Sequence, residues 1–184
     1  MEKEKCRCSW CNLRNPLYVA YHDEEWGVLN PDDGYLFEML VLEMFQAGLS
    51  WECVLNKREA FREAFEGFDI HRVMNFDEEK QAELRTDSGI IRNRLKIRAA
   101  IRNAAIFREI QEEYGSFFAY LQKYCGEEVI YETGQTTNAV SDELSRDLQK
   151  RGMKFCGSTI LYAYLQAVGL INSHEDKCFL RKQI

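Results

Sequence analysis

The chain has 184 residues, of which 46% are hydrophobic and 29% are charged, and its formal net charge is −6. A chain of this length can bury one sizeable core, so we expect a single unit over residues 1–184. The negative net charge excludes a protein that is basic over its whole surface, as nonspecific nucleic-acid coat proteins are, but it allows a local basic patch.

The N-terminal segment, Met1 to Lys5, is charged and is not followed by an apolar stretch. We find no segment long and apolar enough to span a bilayer. The sequence therefore predicts a cytoplasmic protein with no membrane partner. With only two prolines and no low-complexity tract or repeat, the sequence gives no sign of a linker.

Helical periodicity dominates and strand alternation is almost absent, so the predicted fold class is all-α. Capping residues and glycines divide the helical pattern into segments. Residues 128–131 could form a short extended piece, and the stretch before Asp32 lacks clear periodicity, so something else must hold it. The predicted helices are Asp33–Ala47, Ser50 to about Phe65, Asp69–Met74, Asp77–Leu84, Ile90–Tyr114, Ser116–Tyr124, Ser141–Arg151 and Ser158–Val168.

Residues 77–102 form a helix-hairpin-helix pattern with a glycine in the turn. Exposed amides in such a turn and at the start of the second helix suit a DNA phosphate. An ordinary helical hairpin with a solvated basic face is a common alternative, but the local charge favours DNA because Asp87 is the only acid between residues 85 and 102. The cations of this region are Arg85, Arg92, Arg94, Lys96, Arg98 and Arg102.

Glu43 is unusual because helical spacing stacks it over Met39 and Leu40, on the apolar side of its helix. Burying an ionised carboxylate costs several kcal/mol unless a partner offsets the cost. Glu43 therefore has either a fixed internal partner, such as an arginine or a buried hydroxyl, or a ligand. From the residue alone, the internal partner is at least as common an explanation.

Aromatic residues accumulate near this carboxylate in the sequence. Residues 16–27 contain two tyrosines, a histidine and a tryptophan, and Trp51 directly follows the helix of Glu43. Such aromatics most often anchor an arm on the core. Together with a carboxylate they also suit a flat, electron-poor or cationic ring, and an extruded nucleobase is one such ligand.

Seven cysteines in a chain expected in the cytoplasm indicate thiols and metal rather than disulfides. Those in apolar segments are predicted to fill the core. These are Cys53, Cys125 and Cys156.

The cysteines near the two ends of the chain have a different setting. Cys6, Cys8 and Cys11 cluster at the N-terminus, and His174 and Cys178 lie close together near the C-terminus. Taken alone, the C-terminal pair is a weak indication of half a zinc site.

Four stretches carry a resemblance to a known family: PLYVAYHDEEWG at 16–27, LFEMLVLEMFQAGLSW at 36–51, GIIRNRLKI at 89–97 and KRGMKFCGSTI at 150–160. On these long motifs, and from Cys8 to Cys178, the sequence resembles the DNA-3-methyladenine glycosylase I family of bacterial alkylation-repair enzymes. The resemblance implies a helix-hairpin-helix glycosylase fold, an α-helical body whose N- and C-terminal segments are joined by a zinc site.

The resemblance also implies roles for individual residues. Glu43 is expected to be the main catalytic residue and, with Tyr21, to hydrogen-bond the damaged base. Trp51 is expected to stack on the base, and Tyr18 and Trp10 to form part of the pocket wall. The implied DNA contacts are Gly89, Ile91, Arg92, Arg94 and Lys96.

The implied cofactor is one structural zinc ion per chain. Two thiolates and two imidazoles make a closed tetrahedral zinc site, which would order the aperiodic N-terminal arm. The extra thiols Cys6 and Cys11 compete with Cys8 as the N-terminal sulfur ligand. The implied ligands are Cys8, His22, His174 and Cys178.

The implied function is removal of 3-methyladenine from alkylated double-stranded DNA by base flipping and hydrolysis of the N-glycosidic bond, which leaves an abasic site. Methylation at N3 makes the base cationic and a good leaving group, so selection and orientation are most of the task. No lysine lies between Asp87 and Ile91, so no lyase activity is expected. Family members usually carry glycine where this chain has Met44, which predicts a narrowed or reshaped pocket.

Two other functions compete with this one. A binding module that lost catalysis through Met44 would bind damaged or abasic DNA without releasing free base. A purely structural zinc-clamped protein would bind neither. The complete set of pocket residues favours the glycosylase, and a monomer is the default expectation for an enzyme that scans a duplex.

Overall fold

The computed structural model describes residues 5–182, so most of the charged N-terminal segment and the last two residues lie outside the described part. Over the described range the chain is mostly helical with one short pair of strands, which confirms the all-α fold class. None of the helices there is long and apolar enough to cross a membrane.

Most predicted helices are present with boundaries shifted by one or two residues. A π-helical turn, Tyr21–Glu25, continues the first helix, and a 3-10 turn, Glu66–Phe68, follows the fourth. Within residues 5–182 the α-helices are α1 (Pro16–Ala20), α2 (Asp33–Gln46), α3 (Trp51–Leu55), α4 (Arg58–Ala64), α5 (Ile70–Val73), α6 (Glu78–Thr86), α7 (Arg94–Tyr114), α8 (Phe117–Cys125), α9 (Ala139–Arg151) and α10 (Ser158–Ala167).

The extended piece expected at residues 128–131 is confirmed as a short strand. Strand β1 (Ile130–Tyr131) pairs in parallel with β2 (Ile171–Asn172), and Ile130 lies opposite Ile171. This pairing ties the loop after α8 to the segment that follows α10.

The segment predicted as one helix from Ser50 to about Phe65 is two helices, α3 and α4. The chain leaves the helical path at Lys57, where φ is −107° and ψ is 4°. The ammonium of Lys57 donates to the carbonyl oxygens of Ser88 and Gly89 at 3.1 and 3.0 Å. Tertiary hydrogen bonds therefore override the helical pattern at this point.

The long helix predicted from Ile90 starts later, at Arg94. Asn93 is extended, with φ −99° and ψ 110°, and its side-chain oxygen accepts from the backbone N–H groups of Leu95 and Lys96. This asparagine cap fixes the start of α7. Ile90 instead packs into the core with 3% exposure.

The core surrounds α2, which packs against α3, α7, α8 and α10. Ten consecutive residues of α2, from Leu36 to Phe45, are buried, so this helix is enclosed on all sides. Among the cysteines predicted to fill the core, Cys156 is buried as expected, whereas Cys53 and Cys125 are only half-buried.

Candidate functional site

Glu43 lies in the buried part of α2 and is 3% exposed. Within residues 5–182 its Oε2 atom has no hydrogen-bond partner. Burial raises the pKa of this carboxyl from 4.5 to about 8. The fixed internal partner considered from the sequence, such as an arginine or a buried hydroxyl, is therefore not found for this oxygen among the described residues.

Glu43 faces a cavity of about 300 Å³. All five residues predicted for the base pocket line this cavity, although they come from four different parts of the chain: Trp10, Tyr18, Tyr21, Glu43 and Trp51. The structure thus brings the predicted set together, while the role of each residue remains a prediction.

The aromatic rings form the walls of the cavity. The ring centroids of Tyr21 and Trp51 lie 5.1 Å apart, and those of Trp10 and Tyr18 lie 5.5 Å apart. Trp26, which was not predicted for the pocket, contacts Trp10 edge-on at 4.8 Å. A flat ring entering the cavity therefore meets aromatic surface on more than one side.

Polar groups inside the cavity can hydrogen-bond such a ring. The indole Nε1 of Trp51 is buried and, like Oε2 of Glu43, has no partner in the described part of the chain. Burial, reinforced by the charge of Glu43, raises the pKa of Tyr21 well above its usual value. Burial also raises the pKa of Tyr18 to about 12. Both tyrosines therefore keep their protons at neutral pH and can donate.

Several lining residues were missed by the sequence analysis. Gln46 lies three residues after Glu43, so helical spacing alone was sufficient to place it on the same face. The others come from α10, the loop after β1 and the segment after β2, and no local pattern marks them: Thr133, Gly134, Ala163, Gln166, Ser173 and Glu175.

Met44 does not line the cavity, so it does not narrow the pocket directly, and an effect on the shape of the pocket stays a prediction. It is 1% exposed, and its thioether accepts from the side-chain amide of Asn103 on α7 at 3.6 Å. Neighbouring residues of a helix point about 100° apart, so Met44 faces the core while Glu43 faces the cavity.

The π-helical turn after α1 connects the cavity to a second cluster of side chains. Tyr21 of this turn lines the cavity, whereas its neighbour His22 belongs to a buried group of four cysteines and histidines. Glu25 at the end of the turn accepts from Nη1 of Arg58 at 2.8 and 2.9 Å. This ion pair anchors the turn on α4.

The ligand atoms of Cys8, His22, His174 and Cys178 all lie within 4.8 Å of one another, and all four residues are buried. Sγ of Cys8 is 3.4 Å from Nδ1 of His174, and Sγ of Cys178 is 3.5 Å from Nε2 of His22. Sulfur and nitrogen ligands of a tetrahedral zinc ion are about 3.5 Å apart. The four residues therefore fit a metal ion of this kind.

Neighbouring residues support the cluster. Nδ1 of His22 lies 2.8 Å from Oδ1 of Asp23, and Arg7 contacts both oxygens of Asp23 at 2.8 and 2.6 Å. The Arg7 guanidinium also lowers the pKa of Asp23. A carboxylate on the outer nitrogen of a histidine is typical of metal sites, because it fixes the tautomer that binds the metal.

The two competing thiols lie outside the cluster. Cys6 is exposed, and the thiol of Cys11 contacts the carbonyl oxygen of Tyr18 at 3.8 Å. Of the N-terminal cysteines, the structure places Cys8 with the other three ligands.

The predicted DNA contacts have different settings in the structure. Arg92 and Arg94 are exposed, and Ile91 is half-buried. The N–H of Gly89 donates to Oδ1 of Asp87 at 2.7 Å. Lys96 is 5% exposed, and its ammonium binds backbone oxygens inside the protein. The amide of Gly89 and the ammonium of Lys96 are therefore already engaged within the protein.

The connection between α9 and α10 is a second helical hairpin, which the sequence analysis did not recognise. Gly157 precedes α10 and has no side chain to cap the first amides of that helix. Lys154 is exposed, and Phe155 has a φ of 54°, which a bulky residue rarely adopts. Helix α10 also contributes Ala163 and Gln166 to the cavity, so this hairpin is joined directly to the pocket.

Comparisons with known proteins identify the family. The sequence profile of the methyladenine glycosylase family matches residues 10–182. DNA-3-methyladenine glycosylase 1 of Escherichia coli (strain K12) is 43% identical over 179 residues, which is 94% of this chain and 95% of that protein. The chain belongs to the methyladenine glycosylase family. The resemblance stated from the sequence is thereby confirmed.

Solved structures of this family have the same fold. A crystal structure of 3-methyladenine DNA glycosylase I matches with a TM-score of 0.92 and 41% identity, over 96% of this chain and 100% of that chain. A point variant of 3-methyladenine DNA glycosylase I in complex with 3-methyladenine matches with a TM-score of 0.91 and 31% identity, over 96% of this chain and 98% of that chain.

Proposed function

We propose that this protein removes 3-methyladenine from alkylated double-stranded DNA by hydrolysing the N-glycosidic bond. The observation that carries the proposal is the unpaired carboxyl oxygen of Glu43 inside an aromatic cavity. The E. coli relative is named for this activity, and a similar solved structure contains 3-methyladenine. Together these support the same substrate for this chain.

The cavity suits a cationic purine better than a neutral one. Aromatic faces attract a cation, and a positive charge beside Glu43 favours the ionised form of a carboxyl whose pKa burial has raised. Protonated Tyr21 can donate to the acceptor edge of the base, and the indole ring of Trp51, which lines the cavity, can stack on its face. The pocket thereby selects and orients a base that methylation has already made a good leaving group.

Cleavage itself requires little acid catalysis, because the departing base takes the bonding electrons and becomes neutral. Water adds to the sugar carbon as the bond breaks and loses one of its protons to solvent, which leaves a hydroxyl group on the abasic sugar. The carboxylate of Glu43 stabilises positive charge on the base and sugar before and during cleavage. Once the base is neutral that attraction is lost, which favours release of the product.

The target base must leave the duplex to reach Glu43. The carboxylate is 3% exposed and enclosed by Trp10, Tyr21 and Trp51, so a stacked base cannot contact it. Extrusion of the nucleotide is the usual solution for enzymes that act on a base, and we include it in the proposal.

DNA binding is assigned to exposed cations and free amides. Within residues 5–182, Arg92, Arg94 and Lys154 form no ion pair with a carboxylate. The uncapped start of α10 offers N–H donors and the positive end of a helix dipole to a phosphate. At the start of α7, by contrast, Asn93 already binds two of the amides. We therefore propose that the backbone amides at the start of α10, rather than those at the start of α7, bind a DNA phosphate.

We infer that the metal is a structural zinc ion held by Cys8, His22, His174 and Cys178. Four protein ligands leave no open position, so the ion supplies folding energy rather than a reactive water. The ligands come from the N-terminal arm and from the segment after β2, and Trp10 and Tyr21 on that arm line the cavity. Fixing the arm therefore completes the pocket. Monomeric action and a cytoplasmic location stay predictions.

The deciding experiment is chromatography of the bases released from methylated DNA by the native protein and by Glu43→Gln. The native protein should release free 3-methyladenine. Glu43→Gln should release it at least about a hundredfold more slowly, as expected for removal of one preorganised electrostatic group. Unchanged near- and far-UV circular dichroism of the variant serves as the folding control. No release by the native protein would end this proposal.

A further inference from the structure

The ammonium of Lys96 lies at the C-terminal end of α2. Its Nζ atom donates to the carbonyl oxygen of Phe45 at 2.9 Å and to that of Ala47 at 2.6 Å. The last carbonyls of a helix have no partner within the helix and carry partial negative charge. A buried lysine here satisfies two of them, and burial lowers its pKa without removing its donors.

The carbonyls that Lys96 holds belong to the segment connecting two parts of the pocket. Glu43 and Gln46 line the cavity from α2, and Trp51 lines it from the first residue of α3. Between them lies the short connection 47–50, whose Gly48 has a φ of 81°. The position of Trp51 relative to Glu43 therefore depends on what fixes this connection.

The other end of the segment that carries Trp51 is also held by a lysine bound to backbone carbonyls. Lys57, which follows α3, donates to the carbonyl oxygens of Ser88 and Gly89 in the connection between α6 and α7. Lys96 and Lys57 thus join the α6–α7 pair to both ends of the segment 45–57. Neither ammonium has a carboxylate partner among the described residues.

We propose that Lys96 is a positioning residue, which sets the distance between the carboxylate of Glu43 and the ring of Trp51 and does not bind DNA phosphate. The inference rests on the proposed glycosylase function. The α6–α7 pair then fixes the segment 45–57 through Lys96 and Lys57, in addition to presenting Arg92 and Arg94 to DNA. Loss of Lys96 lowers the rate of cleavage, whereas loss of a phosphate contact lowers DNA affinity and its salt dependence.

The test compares Lys96→Met with Arg94→Gln, which removes an exposed cation two residues away on the same helix. Arg108→Gln is the control, which should change neither quantity. Each is measured for single-turnover release of 3-methyladenine at saturating DNA, and for duplex affinity at several salt concentrations. Lys96→Met should lower the saturated rate at least about tenfold with the salt slope unchanged. Arg94→Gln should lower the slope by about one.

The proposal is overturned if the Lys96→Met variant keeps the native rate of base release, or if it lowers the salt slope of duplex binding by about one. Because this variant could fold poorly, lysine acetylation of the native protein gives a second measurement. Lys96 should resist acetic anhydride with and without duplex DNA, while exposed Lys154 reacts readily in the free protein. Acetylation of Lys96 as fast as Lys154, with protection by DNA, also overturns it. Absence of base release by the native protein rejects the proposed function instead.

Discussion

The thioether of Met44 and the side-chain amide of Asn103 lie 3.6 Å apart, in the contact between α2 and α7. Asn103 also exchanges two hydrogen bonds of 2.9 Å with the backbone of Lys154, in the connection between α9 and α10. Met44 therefore supports a core contact behind the pocket.

Met44→Gly should consequently affect stability more than catalysis. Removing the buried side chain and adding a helical glycine should cost about 3–6 kcal/mol of unfolding free energy. The release rate per folded molecule should change less than about threefold. Met44→Leu, which conserves volume, should cost less than about 1.5 kcal/mol. A large change in the release rate of a Met44→Gly variant that keeps full stability would show that Met44 does shape the pocket.

The raised pKa of Glu43 predicts a pH dependence of stability. The pKa is about 8 in the folded protein and 4.5 in the reference state, so the folded state holds the proton more tightly. The carboxyl costs nothing below pH 4.5 and destabilises the fold increasingly as pH rises to about 8, by at most about 5 kcal/mol. In chemical denaturation of the ligand-free protein, the free energy of unfolding of Glu43→Gln should therefore rise relative to that of the native protein as pH increases over this range. A constant difference between the two would contradict the buried, unpaired carboxyl.

Zinc content should follow the four clustered ligands and not the other thiols. The purified protein should contain one zinc ion per chain, and Cys8→Ser or Cys178→Ser should lose it. Losing a few kcal/mol of metal-linked stability should lower Tm by roughly 10 °C. Cys6→Ser and Cys11→Ser are the matched controls, and loss of zinc from either would show that the N-terminal sulfur ligand was misassigned.

Arg92 should contribute to DNA affinity through its charge alone. Arg92→Gln should lower the salt slope of duplex binding by about one and weaken binding to all sequences alike. Arg72→Gln provides the control, because Arg72 is exposed but paired with Glu66 at 3.2 Å. Equal effects of the two substitutions would mean that net charge, rather than a local surface, governs binding.

The enzyme should leave an intact abasic site. None of the described residues that line the cavity is a lysine, so no amine is placed to form a Schiff base with the sugar. Borohydride treatment during turnover should trap no covalent protein–DNA adduct, and the product strand should break only after alkali. A trapped adduct would show that the enzyme has lyase activity.

Local features of the sequence were sufficient to predict most of the helices, but not the break at Lys57 or the start of α7 at Arg94. Ser50 and Asp77, the first residues of two predicted helices, each accept from a backbone amide at the start of the helix. The apolar setting of Glu43 was also visible, because helical spacing depends only on neighbouring residues. The family resemblance added the zinc ligands, which the spacing alone indicated only weakly.

The tertiary structure decided what local spacing cannot specify. Lys96 and Arg94 lie two residues apart and are both basic, yet one is buried on backbone carbonyls and the other is exposed. Met44 and Glu43 are adjacent, yet one faces the core and the other the cavity. Such outcomes depend on which groups of other helices and loops lie within a few ångströms of each side chain. These neighbours determine whether each charge is solvated, paired or buried.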